Sequence, residues 1–360
     1  VKNVSLLIVG NFLSQTLKTR SVCEDLADQL KNSGWPVITT SNKQPRVSRL
    51  WDMLSTIWKR RHDFELAQVD VYSGPAFRWA EACCWLLRRV GKPYILTLHG
   101  GNLPEFSRKN TKRVQKLLNS AAMVTSPSPY LAELMSQYRK DLVLLPNPID
   151  LKALPFNLRT NPRTTLIWLR AFHSIYNPVL AIKVLASLIQ EFPDVRLKMG
   201  GPDKDGTTLK QFQSAAVELK VTDRVQIVGA IPHEKVGDFL SEGDIFLNTT
   251  FFDNTPVSVL EAMACGLCVV STNVGGIPIL IKNEQEALLV PPDDVNAMTQ
   301  AVRRLLREPQ LASQISSGGR TKVEAFDWTE ILPKWQSLFL NVCQRNSNQA
   351  GWEVTNAIVK

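Results

Sequence analysis

The sequence predicts an α/β protein of two facing Rossmann-like domains, each built on a parallel sheet, with an interdomain cleft. Three observations predict it. Short apolar runs alternate with longer amphipathic stretches, which is the rhythm of βαβ units. That rhythm breaks between Asp150 and Pro162, where Pro, Asn and Thr take over. The length of 360 residues exceeds the roughly 250–300 at which a single core stops growing.

The elements follow in order. VSLLIVG is the first strand and leads to an amphipathic helix over Val22–Ser33. PVITT, the helix Ser48–Arg60, VDVYSG, the helix Phe77–Arg89 and PYILTLHG continue the series. The helix Asn110–Asn119 and the runs AAMVTS and LVLLPNPID close a domain over 1–155. A second series opens with TTLIWLR and runs through Leu180–Glu191, VRLKMGG, Leu209–Leu219 and VQIVGAI. It continues with Val236–Ser241, IFLNTT, Val257–Ala264, CVVSTN and ALLVPP, making a domain over 156–328. Helical stretches over Asn296–Arg307 and Thr329–Gln344 end the pattern, and the polar residues beyond Arg345 predict a frayed end. Open α/β sheets bind ligands at the carboxyl ends of their strands, so the expected active site is the cleft between the two sheets.

Apolar residues make up 44% and charged residues 21%, the profile of a globular chain that needs no metal or disulfide staple. The formal charge of +9 is unevenly placed: residues 1–150 hold 21 Lys+Arg against 12 Asp+Glu, and residues 151–360 hold 21 against 21. A basic first domain suits nucleic acid, anionic lipid or a phosphorylated ligand, and a merely solvated basic face explains it equally well. No recognisable nucleic-acid module occurs, so no nucleic-acid partner is expected.

Six cysteines without regular spacing fit a reducing compartment. Cys265-Gly-Leu-Cys268 is a C-x-x-C, but it stands between a predicted helix and a predicted strand, the reverse of a redox motif, and reads as buried small residues. No apolar run reaches the roughly 18–20 residues of a membrane span, and no cleavage signal follows the first strand. A cytoplasmic protein, soluble or peripheral at the inner face of the membrane, is the expectation.

The strongest chemical signal is Phe251–Leu280, FFDNTPVSVLEAMACGLCVVSTNVGGIPIL. After a strand comes the loop Asp253-Asn254-Thr255-Pro256, then a helix from Val257 whose free N–H groups and dipole favour an anion such as a diphosphate. Pro256 suits the first helical position. Asp253 and Glu261 can border one ligand as acceptors for sugar hydroxyls. Spacing alone equally fits a helix-capping aspartate followed by an exposed glutamate.

His99, in Leu98-His99-Gly100-Gly101-Asn102, follows a strand and therefore sits at a strand's carboxyl end, with glycines that permit close backbone approach. It reads as a catalytic candidate or as a satisfied loop histidine. Asp203-Lys204-Asp205, set among glycines, reads as a turn before a metal site, and no metal is expected. No G-x-G-x-x-G or P-loop occurs. In LWDMLSTIWKRR, Leu50, Met53, Leu54, Ile57 and Trp58 fall at helical spacing. Core packing explains that face first, and the aromatics beside Lys59-Arg60-Arg61 also suit a membrane surface.

These motifs resemble family 4 of the glycosyltransferases, whose signature is an acid, seven residues, then a glutamate followed by Ala-Met-Ala and Gly. Asp253 stands where the family usually has glutamate. The resemblance spans Gly10 to the Phe326-Asp327-Trp328 turn and includes SPSPYLAELM, LLPNPID and Gly275-Gly-Ile-Pro278, with Ile279 where the family often has glutamate.

It implies a retaining, metal-independent transferase that moves a sugar from a UDP-, GDP- or ADP-sugar donor to a hydroxyl of a glycan or lipid-linked acceptor. The nucleotide sugar is then a co-substrate, and no cofactor is implied. The first acid, Asp253, would meet donor-sugar hydroxyls and Glu261 the nucleotide ribose, while Asn254, Thr255, Pro256, Val257 and Ser258 hold phosphate.

Arg170 would neutralise the diphosphate, a task suited to a permanently charged fork, although a surface salt-bridging arginine explains it too. Ile231 would lie on the donor side. The lysine usual five residues after that arginine is replaced by Ile175, leaving Lys183 or helix N-termini to supply charge. His99 would face the donor sugar, and Gly10, Asn11, Gly100 and Gly101 would form the acceptor and phosphate loops. The last helix, about 330–346, would complete the first domain. A sugar-nucleotide epimerase of similar fold and a catalytically silent nucleotide-sugar binder are the alternatives.

Overall fold

A computed structural model describes residues 3–14, 20–100 and 102–358, with side chains to residue 345. The chain divides into two compact units, one formed by Val1–Asn147 with Thr329–Lys360 and the other by Pro148–Trp328. The first boundary therefore falls eight residues before the expected 155/156 junction. The reason is local: Ile149 forms a parallel bridge with Asp327, whose carboxylate accepts the Leu151 N–H at 3.1 Å, so the LLPNPID tail belongs to the second unit.

The first unit carries a six-stranded parallel sheet in the order β2-β1-β3-β4-β5-β6. Its strands are β1 Leu6–Val9, β2 Val37–Thr40, β3 Leu66–Val71, β4 Tyr94–Leu98, β5 Met123–Ser126 and β6 Leu142–Leu144. β1, β3 and β4 are buried along their whole length, β1 as a continuous apolar run and β3 and β4 with Gln68, Asp70 and Thr97 buried among apolar residues. Between strands lie α1 Val22–Asn32, α2 Arg46–Lys59, α3 Pro75–Arg89, α4 Leu103–Lys109, α5 Thr111–Asn119 and α6 Pro129–Met135. A Glu24 carboxylate that receives the Ser21 N–H at 2.8 Å satisfies one orphan donor at the start of α1.

The α2 pattern sorts differently from the core reading. Met53 and Ile57 are buried and Leu50 and Leu54 half-buried, but Trp58 is 54% exposed and Trp51 70%. Trp58 follows Ile57 and so points off the buried face of the helix. On α3, which packs beside α2, Trp85 is 53% exposed. Arg61 and Arg89 sit over the rings of Trp58 and Trp85 at 4.6 and 5.3 Å.

The second unit has its own six-stranded parallel sheet, ordered β12-β11-β10-β7-β8-β9. The strands are β7 Thr165–Leu169, β8 Arg196–Gly200, β9 Val225–Gly229, β10 Ile245–Asn248, β11 Cys268–Thr272 and β12 Leu288–Val290. The helices are α7 Pro178–Leu188, α8 Thr208–Glu218, α9 Val236–Ser241, α10 Val257–Ala264, α11 Ile277–Leu280, α12 Val295–Arg307 and α13 Pro309–Glu324. The segment leading into β7 is fixed from inside: buried Arg159 bonds Asp244 Oδ1 at 3.1 Å and the Cys265 carbonyl at 2.6 Å. Arg163 completes the group on Asp244 Oδ2 at 2.9 Å.

Cys265 and Cys268 stand at the end of α10 and the start of β11, both buried, and burial pushes each thiol up to about 12. They are packing residues. A last helix, α14 Trp328–Ile358, returns to the first unit, where Phe339 meets Trp35 at 6.1 Å between ring centroids. It runs past Arg345, where the side-chain pattern predicts an end, because backbone hydrogen bonding needs no apolar stripe and no proline interrupts residues 346–358. No described helix is long and apolar enough to cross a membrane.

Candidate active site

In each unit the strand order reverses once, and open α/β sheets leave a crevice for ligands where it does. In the second unit the reversal lies between β7 and β10, which are paired neighbours. Arg170 follows β7 directly, and Asp253 lies in the loop after β10. The topology thus delivers the two residues to one spot, where the Arg170 guanidinium is ion-paired with the Asp253 carboxylate. Tyr176 lies under that guanidinium at 4.8 Å.

The loop backbone is pinned. Asp253 Oδ1 accepts the Thr255 N–H at 3.2 Å, and the Asp253 carbonyl accepts the Gly276 N–H at 2.8 Å. A Cβ on Gly275 would lie 2.2 Å from that carbonyl, so the GGIP loop can close on the acid only with glycine there. Gly201 plays the same part for Arg170: a Cβ there would lie 1.7 Å from the Arg170 carbonyl.

Around this ion pair polar groups are left over. Arg170 Nε, Asn254 Oδ1, Thr255 Oγ1 and Ser258 Oγ are buried with no hydrogen-bond partner. Each such group costs about 1–3 kcal/mol, so three at one helix start and a fourth on Arg170 mark places for a ligand. Glu261, buried on α10 a little over one turn from its start, shares that helix. Val257 opens α10, and Pro256 is its N-cap with ψ 104°, one position earlier than its expected place. Extended backbone at Pro256 lets the chain turn in from the loop before the helix begins.

Ile231 is partly buried on the loop after β9, against Gly200, whose carbonyl accepts the Arg170 N–H at 3.0 Å. Ile175 lies in a short 3₁₀ turn, and its carbonyl accepts the Phe251 N–H at 2.8 Å. Its side chain brings no cation, and Lys183 is on the exposed side of α7. Asp203 and Asp205 act as turn and cap acceptors: Asp203 Oδ1 takes the Gly206 N–H, and Asp205 takes Thr207 N–H, Thr208 N–H and the Thr208 hydroxyl.

In the first unit the reversal lies between β1 and β3. Gly10 and Asn11 follow β1, and His99 follows β4. His99 is buried, its Nε2–H on Asp70 Oδ1 at 2.9 Å and its ring stacked on Tyr72 at 4.9 Å. Asp70 Oδ1 also accepts from Gln68 Nε2 at 2.8 Å, and Gln68 in turn reaches Thr97 Oγ1 at 2.8 Å.

Burial alone would raise the Asp70 carboxyl, but the His99 ring charge and its hydrogen bonds outweigh burial and hold it below the usual carboxylate range. Sequence reasoning passed over Asp70. The available signal was an aspartate inside VDVYSG, an otherwise buried strand. Gly100 has φ +87°, a conformation glycine favours, and Gly101 lies outside the described residues.

Two Rossmann-like units in one chain are the architecture of the two-domain glycosyltransferases known as GT-B. The family model described as Glycosyl transferases group 1 matches residues 154–322, and that described as Glycosyltransferase Family 4 matches residues 18–153. The chain belongs to family 4 of the glycosyltransferases.

Among curated relatives, the phosphatidylinositol N-acetylglucosaminyltransferase GPI3 protein of Saccharomyces cerevisiae is 27% identical over 169 residues, 47% of this chain and 36% of that protein. D-inositol 3-phosphate glycosyltransferase of Saccharomonospora viridis is 25% identical over 274 residues, covering 68% of this chain and 64% of that one. The matched stretch thus spans about a third of the first relative's length and just under two thirds of the second's.

Among solved structures, Anabaena HepE in complex with UDP and glucose superposes with a TM-score of 0.76 at 15% identity, covering 94% of this chain and 100% of that one. Sucrose-phosphate synthase of Thermosynechococcus elongatus gives 0.76 at 18%, covering 94% and 99%. These likenesses are of fold.

Proposed function

We propose that this chain is a retaining, metal-independent glycosyltransferase that moves a sugar from a nucleoside diphosphate sugar to a hydroxyl of a glycan or glycolipid. The observation that carries the reading is the set of four unpartnered buried polar atoms around the Arg170–Asp253 pair at the second unit's switch point. A diphosphate sugar offers both partners they lack: phosphate oxygens for the guanidinium, and hydroxyls for Asn254, Thr255 and Ser258. Relatives named for inositol phosphate and phosphatidylinositol, and a fold neighbour bound to UDP and glucose, support the donor and acceptor classes.

In the proposed reaction the bond from the anomeric carbon to the diphosphate oxygen breaks, and a bond to the acceptor oxygen forms on the same face. The acceptor proton passes to the departing diphosphate. Arg170 and the α10 N-terminus meet the charge that develops on the leaving group, Asp253 fixes the donor sugar, and Glu261 holds the ribose. His99, held by Asp70, is the first unit's catalytic candidate.

Thermal shift with UDP-, GDP- and ADP-sugars identifies the donor. Turnover by the protein in EDTA, with anomeric configuration read by NMR, tests metal independence and retention. Donor binding without turnover across a broad acceptor panel would sink the transferase reading in favour of a silent donor binder.

The proposal extends to an anionic membrane surface. Trp51, Trp58 and Trp85, two of them under arginines, are exposed on adjacent helices of the basic part of the chain, a combination that suits the headgroup region. Trp51→Ser with Trp85→Ser should release the protein from phosphatidylglycerol vesicles in a cosedimentation assay. Unchanged vesicle binding removes the surface from the proposal.

A further inference from the structure

An arginine has a long, flexible stem, and its planar fork meets a phosphate well only when the plane is fixed beforehand. The ion pair with Asp253 engages Nη2 of Arg170, while Nε is buried with no hydrogen-bond partner. A contact at one corner leaves the plane free to pivot. The second contact is with its face: the guanidinium carbon lies 4.8 Å from the centroid of the Tyr176 ring. A cation over an aromatic face is attracted by the ring quadrupole, and that contact leaves the N–H edges of the fork open to acceptors.

The ring stands on a fixed base. Tyr176 ends the 3₁₀ turn Ser174–Tyr176, where its N–H donates to the His173 carbonyl at 2.9 Å. Its own carbonyl accepts the Thr249 hydroxyl at 2.7 Å, and Thr249 Oγ1 in turn accepts the indole N–H of Trp168 at 2.9 Å. Trp168 is buried on β7 and Thr249 is buried just after β10, so these bonds tie Tyr176 to both strands at the reversal. One residue earlier, the Ile175 carbonyl accepts the Thr250 hydroxyl at 3.1 Å. One residue later, Asn177 turns the chain with φ +43°, and its amide donates to Asp293 Oδ1 at 2.9 Å.

The two contacts of Arg170 respond differently to a ligand. In the transferase reading Asp253 takes a donor-sugar hydroxyl, which competes with Arg170 for the carboxylate. The aromatic face has no such competitor. We infer that Tyr176 is a positioning residue: it holds the guanidinium plane of Arg170 ready for a diphosphate and keeps it there when Asp253 turns to the sugar. This role rests on the transferase reading and concerns the same site. It depends on the electron-rich face of the ring rather than on its bulk.

Isothermal titration of the full chain with UDP, GDP and ADP tests it, using whichever binds the wild-type protein. Tyr176→Leu should weaken that diphosphate about tenfold, and Tyr176→Phe, which keeps the ring, should stay within about twofold. Tyr176→trifluorophenylalanine keeps the shape of the ring but withdraws electron density from its face, so it should weaken binding as Tyr176→Leu does. In an Arg170→Ala background, Tyr176→Leu should change the affinity by less than about twofold, because the ring acts through the arginine.

A diphosphate affinity that survives Tyr176→Leu overturns the inference. So does a loss that Tyr176→trifluorophenylalanine does not share, which would make the ring a packing residue, and so does a loss of the same size without Arg170. Should Tyr176→Leu fail to fold by circular dichroism, Tyr176→Phe against Tyr176→trifluorophenylalanine decides alone, and equal affinities overturn it. Diphosphate binding that ignores Tyr176 sinks this inference and leaves the donor reading standing. Absence of binding by all three diphosphates sinks the donor reading and this inference with it.

Discussion

The two switch points solve the same topological problem with different degrees of completion. In the first unit, His99, Asp70, Gln68, Thr97 and Thr125 form a chain of hydrogen bonds buried in the sheet, with Asp70 Oδ2 and Gln68 Oε1 left over. In the second, an arginine and an aspartate hold each other while Arg170 Nε and the side-chain oxygens of Asn254, Thr255 and Ser258 go without partners. The more nearly satisfied network fixes side chains before any ligand arrives, whereas the one with more orphaned atoms stores a larger penalty that a ligand removes. The first site should therefore act through positioning and the second through binding energy.

That contrast can be broken by substitution. Glu261→Ala should have the largest effect, lowering kcat/KM about a thousandfold, or roughly 4 kcal/mol, with donor stabilisation lost in thermal shift. Wild-type kinetics from a folded variant would end the assignment. Arg170→Ala should cost about a hundredfold, and it also strips Asp253 of its counter-ion. If the pair matters only for folding, urea denaturation will show the loss while turnover by the folded fraction stays normal.

His99→Ala should lower kcat by tens-fold and leave donor binding untouched, since its contacts lie in the first unit. A lost donor shift in that variant would erase the distinction between the sites.

The smallest effect belongs to a control outside either switch point. Hydrogen bonds from the Thr208 hydroxyl, Thr208 N–H and Thr207 N–H lower the Asp205 carboxyl from 3.8 to about 2. Because the folded value is depressed, the stabilisation is present above pH 3.8 and is lost as pH falls through about 2. The difference in urea midpoint between wild type and Asp205→Asn should shrink over that window, and a difference that grows on acidification would refute the cap.

Much of this was legible in the sequence, for physical reasons. Val257–Ala264 is a helix at both of its expected ends, because a proline precedes it and a glycine follows within two residues. Both sheets followed from short apolar runs alternating with longer amphipathic stretches. What escaped has equally definite causes. The helix Pro309–Glu324 was missed because QISSGGR is polar and rich in small residues, and its buried side includes Ser316 and Gly319 rather than a bold apolar stripe. Asp70 escaped because one charge in a buried strand gains meaning only when the neighbouring strand supplies His99. The side chains of Asn254, Thr255 and Ser258 were expected as part of a phosphate loop, but only coordinates reveal that their oxygens lack partners.

The path of the chain bears on its birth as well. The second unit is a single uninterrupted stretch, Pro148–Trp328, whereas the first is built from two stretches on either side of it. During synthesis the sheet of the first unit emerges early and then waits for its closing helix, including the Phe339 side that meets Trp35. At typical elongation rates that wait is on the order of ten to forty seconds, during which Trp35 and its surroundings stay uncovered. The inserted unit can fold in the meantime, so of the two units the one begun first is finished last.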